Sequence, residues 1–193
     1  MFQHLLKPVS FLYWLPVGIA VNEYVYTLKT VKGRSMQPTL NPDDSFSNDV
    51  LLFDRYSIRA GKPVNRGDIV ALKDPIGGSK VIVKRIIAIE GDTVQTLPPY
   101  PDAEVVLPKG HVWVEGDEPF HTLDSNKFGS VPVSLIESRL TSIIWPLHRF
   151  GLVQSQIDKP LRSTFTKHSD WYCAMAAFER ERKRQDRISE ACK

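Results

Sequence analysis

The chain has 193 residues, 42% of them hydrophobic and 24% charged, with a net charge of +3. Those values suit one globular domain with a sizeable core plus tails. No basic run is interleaved with aromatics, so nucleic-acid binding has no footprint here. The charge excess resides in the tail, where residues 158–193 carry nine Lys/Arg against six Asp/Glu.

The first element in chain order is an apolar run from Val9 to Val21, broken only by Ser10 and followed by Asn22-Glu23 and Tyr24-Val25-Tyr26. A membrane-spanning helix needs about 20 mainly apolar residues, a length reached here only by including Tyr24–Tyr26. On that reading residues 1–28 form a membrane anchor in contact with lipid, with Tyr13, Trp14, Tyr24 and Tyr26 at the two interfaces. A cleaved signal peptide fits the same residues, with Lys7 as its basic start and Gly18-Ile19-Ala20 as a small-x-small site. Lys29, Lys32 and Arg34 after the run outnumber Lys7 before it. Positive-inside counting would therefore place the rest of the chain on the inner side of its membrane.

Residues 29–150 read as the main domain, built of short strands separated by turn signals. Thr27–Lys32 leads to a turn at Ser35, Asp49–Asp54 is a buried strand, and Asn65-Arg66-Gly67-Asp68 turns into Ile69–Leu72. Asp74–Ser79 is a loop before the apolar strand Val81–Ile89. Thr93–Leu97, Val105–Leu107 and His111–Glu115 follow, with Leu97-Pro98-Pro99-Tyr100-Pro101 as a loop. No helical stripe intrudes between Thr27 and Ser134, which favours a folded-over antiparallel β architecture. Beyond Ser134 the pattern turns helical. Leu135–Trp145 reads as a helix ending at Pro146, and residues 151–193 as a charged helical tail. In that tail Trp171–Ile188 is the helix, supported by the Glu179–Lys183 pair and with a solvated face.

Two residues carry chemistry. Ser35 sits on a tight turn, and Lys84 is embedded in Val81-Ile82-Val83-Lys84-Arg85-Ile86-Ile87-Ala88-Ile89. A serine needs an adjacent base to become a nucleophile. A lysine serves as that base only when burial lowers its pKa enough to keep it neutral. Strand alternation puts Lys84 on a face with Ile82, Ile86 and Ala88, and Arg85 on the other with Val83 and Ile87. Cys173 and Cys192 are the two cysteines, and the five histidines are scattered without a metal-binding spacing. Neither metal nor other cofactor is expected. A Ser-His-Asp triad lacks support, because Gly33-Arg34-Ser35-Met36-Gln37 has no closing glycine of a nucleophile elbow.

Four blocks carry a resemblance to a known family: Ser35-Met36-Gln37-Pro38-Thr39-Leu40, Arg66-Gly67-Asp68-Ile69-Val70, Lys84-Arg85-Ile86-Ile87 through Glu90-Gly91-Asp92, and Gly116-Asp117 with Asp124-Ser125. In this order they resemble the type I signal peptidases, membrane-anchored serine endopeptidases with a Ser-Lys dyad on a coiled β fold. Asn41-Pro42, Ser47–Leu52 and Asp124-Ser125-Asn126-Lys127-Phe128-Gly129 resemble the branch working at the mitochondrial inner membrane. Other members usually carry Arg where this chain has Asn126. Only 23 residues separate Asp92 from Gly116, where bacterial relatives often have a large insertion.

The resemblance implies catalysis by Ser35 and Lys84 in a domain facing the intermembrane space on a single-pass anchor. It implies removal of sorting presequences, bound as extended peptides, beside a homologous second catalytic subunit. It places Thr122 where the family has a serine that orients the lysine. Gly33 stands where some relatives have a hydroxyl donor to the oxyanion, leaving only turn freedom here. Met36 is placed at a specificity pocket, with a core position as the alternative reading, and Asp124 and Asp117 as scaffold carboxylates. The rival functions are a bacterial-type or other organellar signal peptidase, and an inactive β scaffold stabilising a catalytic partner. A self-cleaving Ser-Lys repressor domain lacks the preceding DNA-binding helix pair.

Overall fold

The structure, a computed structural model, describes residues 13–42, 47–77, 79–118, 122–153 and 179–189. Its main body is one large antiparallel sheet. Strands β1 (Tyr26–Thr30), β2 (Val50–Asp54), β3 (Ile69–Lys73), β4 (Val81–Ala88), β7 (His111–Glu115), β8 (Val131–Pro132) and β9 (Ile136–Trp145) run in the order β1-β2-β9-β3-β4-β7-β8. β10 (Gly151–Leu152) adds to β9. A smaller sheet contains β5 (Thr93–Gln95), β6 (Glu104–Val106) and β11 (Ile188–Ser189), in the order β11-β5-β6. The fold is mainly antiparallel β with few helices.

Both faces of the large sheet are covered. Along β3, Ile69 and Ala71 pack with Met36, Leu40, Leu51, Phe53, Leu140 and Ile143, while Val70 and Leu72 pack with Ile86, Val112, Val114, Val131 and Ile136. Near-continuous apolar sequence is what a strand buried on both faces requires. A third cluster of Ile87, Ala88, Val94, Leu107 and Trp113 joins the large sheet to the small one. Tyr100 meets Trp113 edge-on, with ring centroids 5.4 Å apart.

The expected helix at Leu135–Trp145 is instead β9, the longest strand, between β2 and β3. Its apolar residues, Ile136, Leu140, Ile143 and Ile144, fall at the spacing of a helical stripe. The strand alternation is masked because small serines, Ser138 and Ser142, fill two of the inward positions. The end of the chain also differs from the expected helix. Residues 179–185 are helical (α4), but Ile188 has left the helix and pairs with Val94 of β5. The rest of the segment beginning at Trp171 lies outside the described residues.

At the other end, α1 (Leu15–Ala20) continues through a wider π-type turn, Val21–Val25, straight into β1. It buries none of its residues. The Val25 carbonyl accepts from the Arg55 N–H, and Arg59 lies over the Tyr24 ring at 5.0 Å, so this end leans on the short helix α2 (Tyr56–Arg59). Among the described residues no helix is long and apolar enough to cross a membrane, and residues 1–12 of the expected anchor lie outside them.

Candidate active site

Three segments build the site: the turn after β1 that carries Ser35, strand β4 with Lys84, and the segment from Gly116 to Asn126 that leaves β7. The turn is entered through Gly33, whose φ of +102° is a left-handed conformation that L side chains rarely adopt. Ser35 is half-buried, and Leu40 N–H closes the turn on the Met36 carbonyl at 2.8 Å. Met36 is 2% exposed and packs in the core with Leu40, Phe53 and Ile69. That burial fits the core reading of Met36.

The far end of the turn is pinned by side chains. Asn41 Oδ1 accepts from Asp49 N–H, Asp49 Oδ2 accepts from Asn41 N–H, and Asn41 Nδ2 donates to the Val31 carbonyl. Arg149 bridges Asp49 Oδ2 at 2.5 Å and the Thr39 carbonyl at 2.7 Å. These anchors hold the Ser35 turn against β2 and β9. Sequence reading quoted Asn41 and Asp49 without giving them this task.

Lys84 is 3% exposed and pairs across the ladder with Val70 of β3. Ile82 and Ile86, two residues to either side, pack in the same apolar cluster as Val70. Ala88, expected on that face, does not belong to it. A register shift between Ile86 and Ala88 breaks the alternation, and Ile87 and Ala88 both pack in the third cluster. Lys84 Nζ donates to Thr122 Oγ1 at 2.9 Å. Burial lowers the Lys84 pKa from 10.5 to about 8. The charges of Asp124 and Asp117 pull it up, and that of Lys127 pushes it down.

Gly116 joins the lysine to the serine. A Cβ at Gly116 would lie 2.3 Å from Thr122 Oγ1 and 2.5 Å from the Ser35 carbonyl oxygen, both far inside contact distance. The Ser35 carbonyl and the Thr122 hydroxyl are therefore neighbours packed on one residue that must be glycine. Glu118 N–H donates to the same Ser35 carbonyl at 3.2 Å. The structure thus brings Ser35, Gly116, Thr122 and Lys84 into one continuous group. The sequence signal for Gly116 was a Gly-Asp directly after a strand. Its close contacts depend on segments far apart in the chain.

Acidic residues around the group serve as scaffold. Asp117 takes a two-pronged ion pair from Arg85, at 2.9 and 2.7 Å. Burial alone would raise its carboxyl, but hydrogen bonds and charge from Arg85, with Arg184 beyond, hold it down at about 2. Asp124 caps the short helix α3 (Ser125–Phe128), accepting from Asn126 N–H, and also accepts from Gly116 N–H at 3.3 Å. Asn126 is a buried hub. It donates to Glu115 Oε1 at 3.1 Å and accepts from Leu97 N–H at 2.8 Å, tying the Leu97–Pro99 loop to the site. Burial would raise the Glu115 carboxyl, but Arg187 Nη2 at 2.7 Å and Asn126 bring it below its usual value. A cavity of about 460 Å³ opens beside Gly116, Thr122 and Asp124, walled by Leu97, Pro98 and Pro99 on one side and by α4 on the other.

The family model for signal peptidase, peptidase S26, matches residues 4–97. The mitochondrial inner membrane protease subunit 2 of Saccharomyces cerevisiae is 40% identical over 139 residues, 72% of this chain and 78% of its own length. The chain belongs to the signal peptidase family. Subunit 1 of the same protease from Schizosaccharomyces pombe is also similar, at 34% identity over 65% of this chain and 78% of its own. A signal peptidase I of known structure, from Enterococcus faecalis, is 23% identical and overlaps 42% of this chain and 98% of its own with a TM-score of 0.37. This signal peptidase family member is a peptidase, and its subunit 2 relatives place it among the mitochondrial inner membrane proteases.

Proposed function

We propose that this chain is a membrane-anchored serine endopeptidase with a Ser35–Lys84 dyad, removing sorting presequences on the intermembrane-space side of the mitochondrial inner membrane. The observation that carries the reading is the buried Lys84, drawn down to about 8 and hydrogen-bonded to Thr122, in a group shared with Ser35. Ser35 Oγ attacks the peptide carbonyl while Lys84 Nζ takes its proton. Thr122 Oγ1 aims the amine, and the Ser35 N–H donates to the oxyanion. Lys84 then protonates the leaving amine. In the second half, water gives its proton to neutral Lys84 as it attacks the acyl carbonyl, and Lys84 returns that proton to Ser35 Oγ as the acyl–oxygen bond breaks. The substrate binds extended, as an added strand. Relatives named as subunits 1 and 2 support a homologous partner in the same complex.

The test compares presequence cleavage by wild type, Ser35→Ala and Lys84→Met in detergent-solubilised complex. Each variant is expected to lose cleavage nearly completely while keeping the wild-type melting profile, since losing either half of the unit costs nearly as much as losing both. Near-normal cleavage by Lys84→Met would remove the dyad.

A further inference from the structure

The segment Gly116–Glu118 touches both halves of the site, and α4, from the end of the chain, grips that segment. Arg184 Nη2 donates to the Gly116 carbonyl at 2.8 Å, and Arg184 Nη1 donates to Asp117 Oδ1 at 3.0 Å. Arg184 is nearly buried, and Glu181 at 3.5 Å and Glu115 at 3.8 Å steady its guanidinium. Arg180 Nη1 approaches the Asp117 carbonyl at 3.4 Å. Beyond the helix, Arg187 pairs with Glu115 and β11 joins β5, so α4 is fixed at its exit. The helix also faces the nucleophile turn, with Arg184 beside Pro38 and Thr39 around a gap of about 30 Å³.

We infer that Arg184 is a positioning residue, a clamp from the C-terminal segment that holds Gly116–Glu118 where it fixes the Ser35 carbonyl and the Thr122 hydroxyl. Its planar fork suits a carbonyl and a carboxylate held side by side, a geometry lysine cannot reproduce. It also compensates Asp117, which otherwise bears on Lys84. The charged groups acting on Lys84 are Asp124, Asp117 and Lys127, and those on Asp117 are Arg85 and Arg184. Removing the Arg184 charge therefore favours the protonated lysine.

This inference rests on the Ser35–Lys84 chemistry proposed above, and the experiment separates the two. Full-length wild type, Ser35→Ala, Arg184→Ala, Arg184→Lys and Arg182→Ala are compared in solubilised complex, with an extended peptide spanning a presequence junction. The Ser35→Ala arm judges the chemistry: full activity there overturns the dyad. For Arg184→Ala, kcat is expected to fall about 10- to 100-fold with KM changed by less than about threefold. The acidic limb of kcat/KM should move to higher pH by about half a unit. Arg184→Lys keeps the charge, so its limb stays in place while kcat recovers only partly. Arg182 is exposed on the same helix, and its alanine variant should match wild type. Amide exchange at Glu118, whose N–H is bonded to Ser35, should quicken in Arg184→Ala while β3 and β4 remain protected. If Arg184→Ala loses protection in β3 and β4 as well, Arg184→Lys decides by its kcat. Wild-type kcat in Arg184→Lys overturns the clamp, as does an unmoved limb in a folded Arg184→Ala or faster cleavage by Arg184→Ala.

Discussion

At the scale of single residues the site is a problem of keeping one amine neutral among carboxylates. Lys84 at about 8 is roughly a tenth deprotonated at pH 7, so kcat/KM should rise with pH through that value. Asp124 is the carboxylate that raises it most. Asp124→Asn keeps an oxygen for the Asn126 N–H and deletes the charge. Loss of a negative neighbour disfavours the ammonium, so the Lys84 pKa falls and the acidic limb moves to lower pH. A pH profile of kcat/KM checks this; a limb that stays put or moves upward would mean the Asp124 charge does not act on Lys84. The burial of Lys84 was readable from the apolar strand around it, whereas its choice as a base came from the family resemblance. Thr122 was legible only through the family resemblance. Gly116, Arg184 and Arg187 were not assigned a task, because contacts between segments distant in the chain leave no local pattern.

At the scale of elements, apolar strands were readable and β9 was not. Val81–Ala88 and His111–Glu115 announce themselves by continuous apolar sequence. β9 hides its alternation behind serine at inward positions, Ser138 standing opposite Ala71 across the ladder. Ser138 is fully buried, and its hydroxyl has no hydrogen-bond partner among the described residues. An unsatisfied buried hydroxyl is destabilising. Ser138→Ala should therefore be neutral or raise stability by up to about 1 kcal/mol. Ser138→Leu should lower it by about 1–3 kcal/mol through overpacking between β3 and β9. Thermal or denaturant unfolding of the two variants measures both. A marked loss of stability in Ser138→Ala would show that the hydroxyl is satisfied after all. The bulge after Ile86 was equally hidden, and it moves Ala88 out of the lysine's wall by an insertion that sequence alternation cannot show.

At the scale of the whole molecule, both ends fold back on meaning that the central domain alone does not supply. The tail was expected as a solvated helix because its charged sequence matched nothing catalytic. The structure instead spends four of its cationic residues, Arg180, Lys183, Arg184 and Arg187, on the wall of the cavity beside the site. The N-terminal end has the opposite chemistry. Tyr13, Trp14, Leu15, Val17, Ile19 and Val21 are all exposed, and α1 has no buried face. A helix apolar all round, with none of its residues buried among the described residues, would suit an apolar surrounding such as a bilayer. Its direct passage into β1 at Tyr26 would hold the sheet close to the membrane surface. The mature protein is therefore expected to keep this segment and to stay in the membrane pellet after alkaline carbonate extraction. A chain starting at Tyr26 should pass to the supernatant with its sheet intact by circular dichroism. Intact mass of the mature protein separates the two readings of the apolar run. A mature chain that begins at Val21, or a full-length chain released by carbonate, would make the run a removable signal rather than an anchor.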